Sequence, residues 1–236
     1  MRTVLFLFNS SMYAMQPWLD DGRFNVVTVD YDDTDHSGHH RDDRHERLVR
    51  LNVDLSRPSA MAQITYSLAY AELSPPSLVI SFAPCTDLAV SGAAHFERKR
   101  EANPSFQLDA ARMAQLAGEF GCAYAVENPV SVLSTLWRKP DTCFNPCDFG
   151  GYLPEDDEHP EFPEVYPPRD AYNKKTCLWV GNGFILPESK PVAHQNSACP
   201  GHIKLGGKSA RTKYIRSLTP RGLAAAIYHA NVEAIA

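Results

Sequence analysis

Residues 77–82 read SLVISF and lead directly into Ala83-Pro84-Cys85, and this stretch decides how the rest of the chain is interpreted. A continuous apolar run of this length is typical of a parallel strand that is buried on both faces of a sheet. The proline that follows marks the end of such a run. We therefore expect a buried strand whose carboxyl end presents the Cys85 thiol at one edge of a sheet.

The segments on either side repeat this pattern. Further apolar runs predict strands at residues 4–8, Phe24–Asp30, 50–55 and 123–126. Apolar residues at helical spacing predict helices over residues 59–71 and 107–120. Strands that alternate with helices in this way predict an α/β fold with a wound, mostly parallel sheet.

The second part of the chain has a different character. Residues 139–175 are rich in proline, acidic residues and aromatic residues, and they show little periodicity. We interpret them as an irregular insertion within a single catalytic domain, residues 1–236, since long irregular loops usually contact substrate or are held by a metal. Beyond the insertion, residues 176–180 and 184–186 are predicted strands, and residues 219–234 form a predicted amphipathic helix.

Composition and charge limit the functional classes. The chain has 236 residues, is 44% hydrophobic and contains no apolar run long enough to span a membrane. We expect a cytoplasmic protein with reduced cysteines, whose thiols serve chemistry or metal binding. The net charge of −5 argues weakly against a nucleic-acid binder. A basic stretch near the C-terminus can nevertheless hold a phosphate backbone; its cations are Lys204, Lys208, Arg211, Lys213, Arg216 and Arg221.

Polar and reactive groups follow several of the predicted strands. They are Pro84-Cys85-Thr86, Glu127-Asn128-Pro129, Asp30 and Asp54. In wound parallel sheets, ligands bind beyond the carboxyl ends of the strands. We therefore expect all of these groups to face one crevice.

Four stretches of the sequence carry a family resemblance. They are SFAPCTDLAVSG at 81–92, AVENPVSVL at 125–133, KKTCLWVGNGF at 174–184 and YIRSLTPRGLAAAIYHAN at 214–231. In this order they resemble the DNA cytosine carbon-5 methyltransferase family, and within it the short phage-type members. The resemblance implies a Rossmann-like fold that uses S-adenosylmethionine, DNA as the partner and no membrane association.

The implied chemistry explains why a thiol and a carboxyl are needed together. A Cys85 thiolate that adds to carbon-6 of cytosine makes carbon-5 nucleophilic, so that one difficult step becomes two easier ones. Glu127, held partly protonated, supplies the proton at ring N3, and Asn128 fixes the loop or contacts the base. A helix beginning after Pro84-Cys85 is expected to lower the pKa of the thiol. The alternative is a buried thiol at a turn beside a solvated carboxylate.

The resemblance also implies a cofactor site. It places the adenosyl group at the turn after the first strand and beside the nucleophile loop, at Phe8, Asn9, Ser10 and Pro84. It further implies that Asp30 accepts hydrogen bonds from the ribose and that Asp54 meets the adenine amino group. The turn lacks the glycines that the family usually has there, although Ser and Asn side chains also support turns. Asp30 and Asp54 are equally well interpreted as ordinary turn residues.

Two further features concern the donor and the substrate. The family's base-binding arginine motif is not recognisable, which leaves Arg138 and Arg216 as candidates, with Ser91 as a further substrate contact. Arg216 precedes a segment that, by resemblance, packs near the cofactor. There it can meet the additional carboxylate of carboxy-S-adenosylmethionine, which would give 5-carboxymethylcytosine. The alternative is an arginine that binds phosphate.

The insertion contains candidate zinc ligands. Cys143, Cys147, His159 and Cys177 carry the thiolate and imidazole groups that zinc prefers. Such a site would order a segment that buries little apolar surface of its own. The alternative is a set of free thiols in a packed loop.

Two other classes of protein remain as alternatives to the transferase. One is a catalytically silent, DNA-binding relative, favoured by the missing glycine turn and arginine motif. The other is an unrelated cysteine hydrolase, which is disfavoured because no histidine follows a predicted strand as its base.

Overall fold

A computed structural model describes residues 1–9, 11–33, 39–42, 45–194, 199–207 and 209–236. Its centre is an eight-stranded sheet. The strands are β1 (Arg2–Leu7), β2 (Phe24–Asp30), β3 (His39–Arg41), β4 (Leu48–Asn52), β5 (Pro76–Ser81), β6 (Ala123–Pro129), β7 (Thr142–Phe144) and β8 (Thr176–Gly181). The predicted α/β class with a wound, mostly parallel sheet is confirmed.

The order of the strands is β3-β4-β2-β1-β5-β6-β8-β7. The pairs β4–β2, β2–β1, β1–β5 and β5–β6 are parallel, whereas β3–β4, β6–β8 and β8–β7 are antiparallel. The chain builds outward from β1 in one direction and then crosses to β5 on its other side. The carboxyl ends of β1 and β5 therefore flank the switch point, where sheets of this kind bind ligands.

Helices cover both faces of the sheet. They are α1 (Gln16–Asp21), α2 (Ala60–Tyr70), α3 (Phe96–Ala102), α4 (Phe106–Gln115), α5 (Leu133–Leu136), α6 (Pro200–Ile203), α7 (Ala210–Ser217) and α8 (Arg221–Ile235). Successive residues of β1 point to opposite faces, so Val4 and Phe6 pack with α1 and α8 while Leu5 and Leu7 pack with α2 and α4. Both faces are apolar, which explains why β1 reads as an unbroken apolar run.

The insertion, residues 139–175, is more ordered than its sequence suggests. It contributes β7 and two 3₁₀ segments, Pro146–Tyr152 and Pro168–Asp170. Its aromatic residues also form a small apolar core with α7 and neighbouring residues: Phe162, Val165, Tyr166, Tyr172, Cys199, Ile215 and Leu218. The expectation that this segment buries little apolar surface of its own is therefore wrong.

Polar contacts attach the insertion to the start of α8. Arg221 donates two hydrogen bonds to Asp157, at 2.6 and 2.7 Å. The Asp170 carboxylate accepts a hydrogen bond of 2.8 Å from the backbone N–H of Gly222, which satisfies one of the free donors at the helix N-terminus. The cavity described below lies beside this junction, so these contacts help to hold its wall.

The pKa values of two buried groups in the insertion are shifted in opposite directions. Burial is the main cause that lowers the pKa of His159 to about 4 and raises the pKa of Asp170 to about 6. The folded chain binds a proton at His159 less readily than the unfolded chain, so stability from His159 is lost as pH falls from 6.5 to 4. Asp170 binds its proton more readily when folded, so stability is gained as pH falls from 6 towards 4.

We therefore expect replacement of His159 to change the pH dependence of stability. Between pH 7 and pH 5, the deficit in unfolding free energy of His159→Gln relative to the natural protein should shrink by about 2 kcal/mol. The reason is that the unfolded natural chain binds a proton at His159 in this range, whereas the folded chain does not. Urea unfolding at the two pH values measures the difference. Asp170→Asn serves as the control and should show the opposite trend; a deficit for His159→Gln that is independent of pH would contradict the assignment.

Most predicted elements lie where the sequence places them. Residues 184–186 are an exception, because they form no strand; Phe184 instead packs against the α8 face of the sheet. The side chain of Asn231 on α8 takes the place of a neighbouring strand. It accepts a hydrogen bond from the N–H of Ile185 and donates one to the Ile185 carbonyl, both at 2.9 Å. In addition, β3 lies within a polar stretch from which no strand was expected.

Among the described residues, no helix is long and apolar enough to cross a membrane.

Candidate active site

A cavity of about 1020 Å³ opens at the carboxyl ends of β1, β5 and β6. Seven residues predicted from the sequence line it: Phe8, Asn9, Pro84, Cys85, Ser91, Glu127 and Arg216. The position is the switch point of the wound sheet, as expected for a ligand site. The volume lies at the upper end of the range for small-molecule sites, which is sufficient for a nucleoside-sized cofactor beside a pyrimidine.

Cys85 presents a thiol to this cavity from the loop after β5. Its backbone carbonyl accepts hydrogen bonds from the N–H groups of Leu88 and Ala89, at 3.0 and 2.8 Å, and these close a turn. A helix does not follow at once, since the next helical segment is the 3₁₀ turn Val90–His95. Burial, and then the charge of Glu127, raise the pKa of the thiol. The expectation that a helix start lowers this pKa is therefore wrong.

Glu127 lies on the neighbouring strand, β6, and is half-buried in the cavity wall. Burial is the main cause that raises the pKa of its carboxyl, and Lys174 acts in the opposite direction. The raised pKa favours the protonated acid, as expected for a proton donor. Among the described residues that line the cavity, Glu127 is the one acidic side chain.

Asn128 stands behind the cavity. Its side chain is fully buried, and its Nδ2 donates a hydrogen bond of 2.8 Å to the backbone carbonyl of Ala83. Its Oδ1 has no hydrogen-bond partner in the described part of the chain. Since Ala83 comes two residues before Cys85, this bond ties the nucleophile loop to β6. Of the two roles predicted for Asn128, the geometry favours the one that fixes the loop.

We expect Asn128→Asp to destabilise the protein by about 2 kcal/mol or more, although it is nearly isosteric. An ionised Asp cannot donate to the Ala83 carbonyl and places a charge in a buried site. Asn128→Ala leaves that carbonyl unpaired without adding a charge, so its cost should be smaller. Urea unfolding at neutral pH measures both changes, and equal stability of all three proteins would contradict this role.

The turn after β1 adopts a strained conformation. Phe8 has φ 55°, in the left-handed region that favours glycine, and its N–H donates a hydrogen bond of 2.8 Å to the Val29 carbonyl. The turn is held by side chains, as expected in the absence of glycines: Asn9 Nδ2 donates to the Ser11 carbonyl, and the Thr28 hydroxyl donates to the Asn9 carbonyl. Ser10, also predicted to contact the cofactor, lies outside the described residues.

Asp30 and Asp54 lie at the edge of the sheet to which the cavity opens, but neither is among its lining residues. Asp30 ends β2, and its Oδ1 accepts from the N–H of Tyr31 at 2.9 Å. Asp54 accepts a hydrogen bond from the Ser56 hydroxyl, which is the main cause that lowers the pKa of its carboxyl. The N–H of Ser56 and Arg57 Nε also donate to it, both at 3.0 Å, and lower this pKa further. The contacts of Asp54 are those of a turn residue.

The residues around the cavity fit an S-adenosyl group. Phe8, Phe82 and Pro84 give the cavity an apolar wall, which suits an adenosyl moiety. Asn9 lies beside this wall and supplies a polar contact, and Asp30 ends the adjacent strand, where a ribose hydroxyl can find a carboxylate. The volume, the apolar wall and the polar rim are therefore all compatible with such a cofactor.

The structure separates the two candidate arginines. Arg216 lines the cavity, where its Nε donates to the Gly201 carbonyl at 2.9 Å and its Nη2 donates to the Leu205 carbonyl. Arg138 does not line it. Its guanidinium binds Asp141 and donates to the carbonyl of Val180, both at 2.7 Å. Because Val180 pairs with Ala125 near the start of β6, Arg138 lies towards the end of that strand opposite the cavity.

The four predicted zinc ligands are not gathered into one site. Cys143 and Cys177 face each other across the β7–β8 pairing, with 2.7 Å between their sulfurs. Cys147 instead contacts Asn173, and His159 Nδ1 accepts a hydrogen bond of 3.0 Å from the N–H of Phe162. Within the described ranges, no cluster of three or more His, Cys, Asp or Glu side chains is arranged to hold a metal ion.

Several cations in the cavity wall were not predicted as site residues. Lys174 and Lys175 come from the end of the insertion, and Lys213 comes from α7. Lys174 lies in the stretch 174–184, which resembles the family, and Lys213 lies in the basic stretch near the C-terminus. Their positions in the sequence gave no reason to expect either of them at the site. Only packing of the insertion and α7 against the strand ends brings them to Cys85.

Fold and site together define a class of protein. It is an α/β protein with a wound sheet, which carries a thiol and a carboxyl of raised pKa at neighbouring strand ends in one cavity.

Comparisons with known proteins give distant similarity in structure alone. No protein-family model and no curated protein matches this sequence. A prophage-encoded E. coli protein, provisionally described as a DNA modification methyltransferase, matches with a TM-score of 0.44 and 13% identity over 82% of this chain and 53% of that chain. A 4-hydroxyisoleucine dehydrogenase complexed with NADH matches with a TM-score of 0.27 and 17% identity over 52% of this chain and 51% of that chain.

The part of each of these two solved structures that matches this chain is about half of its length. At these TM-scores neither similarity carries an argument about function, and the fold class rests on the strand order itself.

Proposed function

We propose that this protein is a DNA cytosine carbon-5 transferase that uses Cys85 as its nucleophile and an S-adenosyl donor. One observation carries the proposal: Cys85 and Glu127, at the carboxyl ends of adjacent parallel strands, line the same cavity. A nucleophile and an acid in one cavity are what addition across the 5,6 double bond of cytosine requires. The resemblance of residues 81–92 and 125–133 to the methyltransferase family supports the same assignment.

The proposed reaction begins when the Cys85 thiol gives its proton to water and the thiolate forms a bond to carbon-6 of the ring, as the 5,6 double bond opens. Glu127 donates its proton to N3, which neutralises the charge that develops on the ring and leaves carbon-5 nucleophilic. An S-adenosyl donor, when bound, supplies the electrophilic carbon that carbon-5 attacks. Loss of the carbon-5 proton to water or another base then expels the thiolate, and the N3 proton returns to Glu127.

DNA is the proposed substrate, and the target base must leave the helical stack to reach the thiol. Lys174, Lys213 and Arg216 place positive charge along one wall of the cavity, which favours the phosphates that flank an extruded base. This local charge outweighs the net charge of −5 where contact is made.

We further propose that the insertion contributes to substrate binding within a single catalytic domain. Asn145, Asn173 and Lys174, all within residues 139–175, line the cavity. These side chains are the proposed base and phosphate contacts. A short or relaxed sequence preference is the expected consequence.

A second donor is a specific alternative. Arg216 lines the cavity, and its guanidinium is held in place by two backbone carbonyls. A cation fixed at this position suits the additional carboxylate of carboxy-S-adenosylmethionine. Mass spectrometry of nucleosides from DNA treated with each donor distinguishes the products, since carboxymethylcytosine is heavier than methylcytosine. Arg216→Lys keeps the charge but not the fork geometry and should lower any preference for the carboxylated donor.

A covalent trap tests the proposed function. Fluorine at carbon-5 of cytosine cannot leave as a proton does, so a 5-fluorocytosine oligonucleotide should accumulate a stable adduct with the full chain in the presence of a donor. Cys85→Ser should abolish the adduct. Cys122→Ser, which alters a partly buried thiol outside the cavity, should retain it. If neither donor gives an adduct with the natural protein, the proposal fails and the silent DNA-binding relative is favoured.

A further inference from the structure

We propose that Lys174 is a positioning residue whose cation favours ionisation of the Cys85 thiol; this role rests on the proposed function of Cys85 as the nucleophile. Lys174 lies immediately before β8 and lines the cavity together with Cys85 and Glu127. Thr176, at the start of β8, pairs with Pro129 at the carboxyl end of β6. Lys174 therefore extends past the end of the strand that carries Glu127.

The Lys174 side chain is anchored in the cavity wall. It is half-buried, and its Nζ donates a hydrogen bond of 3.3 Å to the backbone carbonyl of Arg216 on α7. The neighbouring Lys175 is exposed, and its charge acts on Cys177 in β8. Both lysines line the cavity, but Lys174 is the half-buried one, and its charge acts on both Cys85 and Glu127.

A cation is needed at this position because the surroundings of Cys85 otherwise oppose ionisation. A reactive cysteine usually has its pKa lowered by a helix N-terminus or by a nearby cation. Here the chain forms a turn after Cys85, and burial and Glu127 raise the pKa of the thiol, while Lys174 lowers it. Lys174 therefore opposes both influences that would keep the thiol neutral.

Other ionisable groups line the same cavity from each element packed around Cys85. Glu127 is on β6, Lys175 precedes β8, His202 is on α6, and Lys213 and Arg216 are on α7. The pKa of His202 is lowered by burial, then by Arg216 and by Lys174. The Arg216 side chain donates hydrogen bonds from its Nε and Nη2 to the backbone carbonyls of Gly201 and Leu205.

The proposal is tested by alkylation, which requires neither DNA nor a donor. The rate at which iodoacetamide modifies Cys85 in the full chain is followed by peptide mass spectrometry from pH 6 to pH 10. Removal of the cation in Lys174→Met should raise the pH of half-maximal rate by about one unit, equivalent to roughly tenfold slower alkylation at neutral pH. Lys174→Arg should retain most of the natural profile.

Two further variants keep the result interpretable. Lys139→Met removes a cation that does not line the cavity and should leave the profile unchanged. Lys174→Gln provides a second neutral variant if Lys174→Met does not fold, as judged by circular dichroism. An unchanged profile in a folded neutral variant of Lys174 would overturn the proposal. A shifted profile together with no adduct in the fluorocytosine trap would retain the role of Lys174 and reject the proposed transfer to cytosine.

Discussion

Replacing Glu127 with glutamine is expected to slow group transfer to cytosine by a factor of about 10² or more, the usual contribution of a positioned acid. Glutamine has nearly the same shape as glutamic acid and can donate a hydrogen bond, but it cannot transfer a proton to N3. Because burial raises the pKa of the Glu127 carboxyl, the natural residue takes up a proton more readily than an exposed carboxyl, as this step needs. Incorporation of a labelled methyl group into DNA measures the loss.

The same substitution should have the opposite effect on the thiol. In its ionised form Glu127 is one of the causes that raise the pKa of Cys85, so Glu127→Gln should lower that pKa and accelerate alkylation by iodoacetamide. Since unfolding would also slow transfer and expose the thiol, circular dichroism must show that the variant is folded. Glu119→Gln, outside the residues that line the cavity, is the matched control and should change neither rate. Transfer at the natural rate in Glu127→Gln would exclude Glu127 as the acid.

The largest expected effect on stability comes from Gly222→Ala, at the start of α8. A Cβ at this position would lie 2.5 Å from the carbonyl oxygen of Phe149 and 2.9 Å from its carbonyl carbon. These are backbone atoms of the 3₁₀ segment Pro146–Tyr152, so they cannot rotate away as a side chain would. We expect a loss of about 3 kcal/mol in unfolding free energy, the upper part of the range for overpacking.

The clash must outweigh a favourable change in helix propensity, because alanine is better than glycine in a helix by about 1 kcal/mol. Displacement of α8 from this segment would also strain the hydrogen bond from the Gly222 N–H to Asp170. Gly206→Ala is the control, since a Cβ there would meet no heavy atom within 4 Å. Urea unfolding compares the two variants, and equal stability would show that α8 is packed less closely than the structure indicates.

The strands could be predicted because their signals are local. β1, β2 and β5 are unbroken apolar runs, and strands covered by helices on both faces have this composition. The convergence of Cys85 and Glu127 also followed from a local rule, because both come at the carboxyl ends of parallel strands. Their pairing needed no knowledge of loops or side-chain packing.

Other features depended on contacts between distant parts of the chain. Residues 184–186 have the composition of a strand, but Asn231 on α8 satisfies the backbone groups of Ile185 in place of a neighbouring strand. β7 joins the sheet from within a Pro-rich, acidic insertion whose local sequence gave no strand signal. The dispersed aromatic residues of that insertion gave no periodic pattern, yet they form a core with α7.

By itself, the sequence determined the α/β class, the order of the central strands and helices along the chain, and the thiol and carboxyl placed at strand ends. These follow from periodicity and from the single direction of parallel strands, which short stretches of chain encode. Only the tertiary structure decided the pKa direction of Cys85, the displacement of Arg138 from the cavity, the separation of the predicted zinc ligands and the presence of Lys174. The physical reason is that burial and electrostatic surroundings depend on which distant segments come into contact, and no local pattern specifies those contacts.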